Sequence, residues 1–187
     1  MGRPKMNLPW GDTTVIGQII GTLSQSAVDE IFVVVGGAQA EVEEAIDNVL
    51  LKKPVKTLLN QRFAEVEMTF STQVGLRALD PRIEAAMIVL GDQPQMKVEV
   101  VNLIVSTYAD TNSALVVPSY NMRRGHPWLV ARTLWPVLLD LKPAETLRDF
   151  LCSQEELICY VNVDTATILQ DIDTPADYNQ YRPEGKV

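Results

Sequence analysis

The chain has 187 residues, 47% of them apolar and 21% charged, proportions that exclude wholesale disorder and fibrous repeats. With 16 basic and 24 acidic residues the net charge is −8, which repels a phosphate backbone and excludes broad nucleic-acid binding. No stretch approaches the roughly 20 apolar residues that span a bilayer, and two cysteines are too few for a disulfide framework, so a cytoplasmic protein is expected, without membrane or nucleic-acid partners.

In chain order, Asp12 or Thr13 is placed to cap a helix whose apolar residues Ile16, Ile19, Ile20 and Leu23 recur at helical spacing. Residues 30–35 read as a strand. The pair Gly36-Gly37 then turns the chain into a helix with Val42, Ala45, Ile46, Val49 and Leu50 on one face. A strand over 55–59 is followed by a third stripe on Phe63, Val66, Phe70 and Val74. The strand over 85–90 is stopped at once by Gly91-Asp92-Gln93-Pro94. A helix over 96–108 is weakened by Val98, Val100, Val101 and Val105, which are stiff at χ1. A strand over 114–117 leads into a turn-rich connection, residues 118–127, and then a helical stripe on Val130, Leu134, Val137, Leu138 and Leu141. A strand over 157–163 and a helix beginning at Pro175 complete the pattern. The tail over 182–187 has only Val187 to pack and is expected to fray. Alternating strands and helices predict an α/β fold, a three-layer, doubly wound, mainly parallel sheet forming one domain over residues 1–181.

In such a sheet ligands bind beyond the carboxyl ends of the strands. Asp92 stands there, and a carboxylate on a rigid strand end is a good hard-oxygen ligand for Mg²⁺. Its competing role is to cap the following helix. The second acidic group is Asp171-Ile172-Asp173-Thr174-Pro175-Ala176-Asp177, where Asp173 or Thr174 can equally serve as a cap. Two acids at two strand ends could share one metal. Lys5, stiffened by Pro4, suits a phosphate, although a surface lysine near a terminus is commoner. Arg123-Arg124-Gly125-His126-Pro127 gathers two guanidiniums and the single histidine into one connection, either a functional loop or a solvated turn. No Gly-x-Gly-x-x-Gly, Walker lysine, Gly-x-Ser-x-Gly or Cys-x-x-Cys motif is present.

Together, Met1-Gly2-Arg3-Pro4-Lys5, Gly91-Asp92-Gln93-Pro94, Arg124-Gly125-His126-Pro127 and the run Asp171–Asp177 resemble the MobA-like nucleotidyltransferases, in particular the molybdenum cofactor cytidylyltransferase branch. The resemblance implies a Rossmann-like nucleotidyltransferase that joins a nucleoside monophosphate to a phosphorylated acceptor and releases pyrophosphate. Lys5 and Asp92 would be catalytic, with Lys5 on triphosphate oxygens. Asp92 and Asp173 would bind Mg²⁺. Arg3, Gly91, Pro94, Arg124, Gly125 and His126 would bind substrate. The Gly-Asp-Gln-Pro form favours CTP with molybdopterin as acceptor, and a molybdoenzyme would be a partner receiving the product. Alternatives are GTP, another phosphorylated acceptor, or a truncated non-catalytic module that carries the cofactor.

Two departures are evident. The family opens with a strand and a Leu-Ala-Ala-Gly-x-Ser-x-Arg loop just ahead of the Met-Gly-x-Pro-Lys piece, whereas this chain begins at that Met. The expectation is a sheet lacking its first strand, with Met1 an internal methionine of a longer protein. Second, Lys142–Arg148 stands where the family often has Gly-Asp-x-Gly-x-Arg.

Overall fold

Runs of β-branched residues separated by amphipathic stretches build an α/β structure in the computed structural model, which describes residues 5–63 and 68–183. A single 3₁₀ turn, Lys5–Asn7, precedes a short hairpin, β1 (Pro9–Trp10) and β2 (Thr13–Thr14). Then come α1 (Val15–Gln25), β3 (Ile31–Val35), α2 (Gln39–Asp47), β4 (Val55–Leu59), α3 (Met68–Ala78), β5 (Ala85–Ile88) and α4 (Val98–Thr111). The second half contains β6 (Leu115–Tyr120), β7 (Arg123–Arg124), β8 (Trp128–Ala131), α5 (Trp135–Asp140), α6 (Leu147–Ser153), β9 (Ile158–Asn162) and α7 (Pro175–Tyr181).

The main sheet has the order β5-β8-β6, with β9 and β7 also pairing with β6. Because β8 is antiparallel to both β5 and β6, those two point the same way, and β9 runs parallel to β6. Strands β3 and β4 form a separate parallel pair. Among the described residues no ladder joins β3 to β5. A cavity of about 900 Å³, lined by residues 29–38 and 83–91, lies between them. Among the described residues the sheet therefore comes in two pieces.

The period-two alternation of strand side chains creates the layers. On β6, Leu115 and Val117 pack with Trp128, Val130, Leu138 and Phe150, while Val116 points to the other face and packs with Val100, Ile104, Leu129 and Val161. Helices α3, α5 and α6 thus cover one face and α4 the other. Both faces are dry, with Leu115, Val116, Val117 and Val130 completely buried.

The structure corrects three local expectations. Val130 belongs to strand β8 and the stripe through Leu141 breaks into a strand, a 3₁₀ turn (Arg132–Leu134) and α5, because a strand buried on both faces loses its polar alternation and mimics a helix. Helix α1 is capped by Thr14, whose side chain accepts from the Gly17 amide, not by Asp12 or Thr13. Helix α3 buries Thr69, Gln73 and Leu76, so the stripe on Phe63, Phe70 and Val74 is not its packed face; Val66 lies outside the described residues. Gln73 replaces apolar contact with hydrogen bonds to the carbonyls of Leu138, Leu139 and Leu141. Helix α4 forms despite its valines, running to Asn112 in the left-handed region. Of the tail, Arg182 lies over the Tyr178 ring and Pro183 beside Gly11; residues 184–187 are outside the described set.

Phe150 is fully buried between α6 and the sheet. Phe150→Ala is expected to cost about 3–5 kcal/mol, measured as a lowered midpoint of chemical denaturation.

Candidate functional site

Three segments distant in sequence meet at the carboxyl end of β5. Lys5 Nζ donates to Asp92 Oδ2 at 2.7 Å and to Asp173 Oδ1 at 3.2 Å. One ammonium is therefore shared by two carboxylates. Burial works against the Lys5 charge, yet the hydrogen bonds and charges of Asp92 and Asp173 outweigh it and hold the pKa above the ordinary lysine value.

Local chemistry leaves both acids free of capping duty. The helix after Asp92 begins only at Val98, with Lys97 as its cap residue, so the capping role considered for Asp92 is not the one it has. Thr174 caps α7 in a reciprocal box with Asp177, and Pro175 takes the first turn, which leaves Asp173 outside the helix. The segment carrying Asp173 is fastened to the Asp92 turn twice. The Ile172 amide donates to the Asp92 carbonyl at 3.0 Å, and buried Gln93 donates through Nε2 to Asp171 Oδ1 at 2.5 Å. Burial, opposed by the Gln93 hydrogen bond and reinforced by the charges of Asp92 and Asp173, raises the Asp171 pKa. Gln93 and Asp171 escaped the reading of the sequence as site residues; a short polar side chain directly after a strand-end acid was the available signal.

A second feature marks this end of the molecule. Among the described residues, the buried side-chain atoms without a hydrogen-bond partner belong to Asn7, Asp92, Gln95 and His126. Buried polar atoms are normally paired, so each of these atoms is open to a further polar partner. Asp92 Oδ1 is one of these atoms while its other oxygen is held by Lys5. Two converging carboxylates with one oxygen unspent are hard donors of the kind Mg²⁺ accepts when phosphate oxygens and waters complete its shell. No group of three or more His, Cys, Asp or Glu side chains among the described residues is arranged to hold a metal.

The remaining residues expected at the site divide. His126 stacks on Trp128 with ring centroids 4.1 Å apart and lies close enough to Asp92 to feel its charge. Burial lowers its pKa to about 4, against the opposing hydrogen bond to the Ile88 backbone and the Asp92 charge, so the ring is neutral at pH 7. Gly125 is required by packing, because a Cβ there would sit 2.3 Å from the Ile168 carbonyl oxygen. Gly91 presses on Met6, whose Sδ would be 3.1 Å from an added Cβ, and Pro94 is buried in the same turn. Arg124 is not drawn into the cluster; it pairs with Glu155 and lies over the Tyr160 ring. Arg3 falls outside the described residues.

Residues 1–157 match the MobA-like NTP transferase domain. The chain belongs to that family. This MobA-like transferase is 26% identical over 178 residues to the molybdenum cofactor cytidylyltransferase of Escherichia coli K12, an alignment covering 95% of the chain and 86% of the relative. Its structure resembles that of Rv0371c from Mycobacterium tuberculosis H37Rv in complex with manganese, with a TM-score of 0.78, 28% identity, and coverage of 96% and 91% of the two chains. A nucleotidyl transferase from Methanothermobacter thermautotrophicus shares the fold at a TM-score of 0.74 and 23% identity, over 95% and 83% of the chains. The family places the transferase among the nucleotidyltransferases, enzymes that handle nucleoside triphosphates and generally use a divalent metal. No helix among its described residues is long and apolar enough to cross a membrane.

Between pH 6.5 and about 4 the unfolded chain binds a proton at His126 that the folded chain does not, so stability falls as pH falls through that window. At about 1.4 kcal/mol per pH unit the loss approaches about 3 kcal/mol. His126→Phe is expected to remove this part of the acid sensitivity, seen as a flatter plot of unfolding free energy against pH than in the unsubstituted chain.

Proposed function

We propose that the chain is a Mg²⁺-dependent cytidylyltransferase that transfers CMP from CTP to molybdopterin and releases pyrophosphate. The observation that carries this reading is Lys5 bridging Asp92 and Asp173 at the mouth of the sheet, with an oxygen of Asp92 buried and unspent. Similarity to the Escherichia coli cytidylyltransferase supports the choice of base and acceptor.

The acceptor phosphate attacks the α-phosphorus in line, and the pyrophosphate leaves from the opposite side. The acceptor is already ionised at neutral pH, so the chain needs no general base. Lys5 carries positive charge at all physiological pH values and offsets charge on the triphosphate oxygens. Asp92 and Asp173 would hold the divalent ion, which when bound supplies a Lewis acid that screens the crowded phosphates. Gln93 and Asp171 fix the segment bearing Asp173 against the Asp92 turn. Neutral His126 offers an unpartnered Nδ1 as a hydrogen-bond acceptor without adding charge beside Asp92. Gly125 lets its connection pack against Ile168, Pro94 is buried in the turn after Asp92, and Arg124, turned towards Glu155, would reach the acceptor only by exchanging that partner.

Pyrophosphate release with CTP, Mg²⁺ and molybdopterin tests the proposal. Asp92→Asn is expected to lower kcat/KM by about 10²- to 10³-fold, and undiminished turnover would refute the metal role. Lys5→Ala should lower kcat/KM for CTP by about 10- to 100-fold, the value of a charged hydrogen bond. Faster release with GTP than with CTP would reassign the base, and binding without turnover in every form would identify a carrier module instead. Separately, Gln93→Leu is expected to weaken Mn²⁺ binding, read by titration without nucleotide, while leaving the circular dichroism unchanged.

A further inference from the structure

Tyr160 lies on β9, at the far side of the main sheet from Asp92. In the order β5-β8-β6-β9 it stands three strand spacings, about 14 Å, from β5. Its in-register neighbour on β6 is Val117, so its side chain shares the face that α5 and α6 cover. The helices nevertheless leave the ring 43% exposed. Its cover is the guanidinium of Arg124, 5.6 Å from the ring centroid. Arg124 comes from β7, where it pairs with Ser119, and it is held in place by Glu155, in the 3₁₀ turn just ahead of β9. His126, two residues after Arg124, feels the Asp92 charge. A line across the sheet thus runs from the proposed metal site through His126 and Arg124 to Tyr160.

This cover is of a kind that a ligand can replace. A guanidinium is flat, delocalised and electron-poor, as is a fused nitrogen heterocycle, and both lie well on a phenol ring. The ion pair that holds it is open to water, with the Glu155 side chain 63% exposed, and such a pair adds little stability. A molecule that brings an anion for Arg124 and N–H donors for Glu155 replaces both partners at once and strands neither charge. The other charges nearby are Arg123, which strand alternation turns to the opposite face, and the exposed Glu156.

We propose that Tyr160, Glu155 and Arg124 form the subsite for the ring of the acceptor. A fused 2-amino-4-oxopyrimidine ring takes the place of the guanidinium on Tyr160. Its N3–H and 2-amino group donate to the Glu155 carboxylate, and Arg124 turns to the phosphate carried by the same molecule. The inference rests on the pterin acceptor of the proposed function and adds the residues that select it. Tyr160 and Glu155 act in recognition alone, because the transfer takes place at the Asp92 end.

The probe is 6-hydroxymethylpterin monophosphate, which is itself fluorescent, added to the full chain without nucleotide or metal. Saturable one-to-one binding is expected. Tyr160→Ala should weaken it at least about tenfold, whereas Tyr160→Phe keeps the affinity within about threefold, since an aromatic face is what the ring needs. The corresponding lumazine, with an oxo group in place of the 2-amino donor, should bind about tenfold more weakly, and Glu155→Gln should abolish that preference. Absence of saturable binding, equal affinity of the Tyr160→Ala form, or a pterin preference that survives Glu155→Gln would overturn the proposal. Turnover separates it from the reading on which it rests. Pyrophosphate release with a KM for molybdopterin that Tyr160→Ala leaves unmoved would strike the subsite alone. Selective pterin binding without pyrophosphate release would strike the proposed reaction and leave the subsite standing.

Discussion

The site depends on one ammonium ion. Lys5 is 87 residues from Asp92 and 168 from Asp173, yet it bonds to both. Like charges brought together at a strand end repel each other, and a cation between them converts that repulsion into a cross-link. The raised pKa of Asp171, next to this group, records the same crowding of negative charge combined with burial. In the proposed function the same two carboxylates would hold a divalent ion and Lys5 would offset charge on the phosphates. Folding and proposed chemistry thus draw on a single electrostatic arrangement.

Division of labour among short polar residues makes the arrangement possible. Helix ends require side-chain partners, and acids near helix starts usually provide them. Thr174 and Asp177 cap α7 between themselves, and Thr14 caps α1, so neither Asp92 nor Asp173 is consumed. The backbone bond from Ile172 to Asp92 and the Gln93–Asp171 pair then fix the separation of the two acids through groups that need not touch a substrate. His126 contributes the opposite property. Held in a dry stack on Trp128, it stays neutral and leaves the charge balance of the site unaltered.

Much of the fold is legible in the sequence because strand and helix periodicities differ. The strands at 31–35, 55–59, 85–88 and 158–162 lie within the runs of Val, Ile and Leu that signal them. Strand β8 is hidden because Trp128, Leu129, Val130 and Ala131 are all buried, leaving no polar alternation to detect. The hairpin of β1 and β2 is too short to have a period, and α6 is marked mainly by its Thr146–Asp149 capping box. At the site, Asp92 can be found from the strand that delivers it. Its convergence with Lys5 and Asp173 is a tertiary fact that no local pattern encodes; the strand-end rule suggests pairing the two acids, and the family resemblance adds Lys5. The contact between Gln93 and Asp171 is likewise invisible to spacing, being made across 78 residues.

The divided sheet sits directly behind this centre, so the turn bearing Asp92 is held from one side by β8 and from the other by Met6 and the segment at 171–173. The central claim is that Asp92 and Asp173 together hold a divalent cation beside Lys5. Crystals grown with CTP and Mn²⁺ test it most directly, through the anomalous signal of manganese. The account predicts a peak bridged by carboxylate oxygens of Asp92 and Asp173 and by phosphate oxygens, with Lys5 turned to the triphosphate. A peak elsewhere, or nucleotide bound while Lys5 still spans both acids, would contradict it.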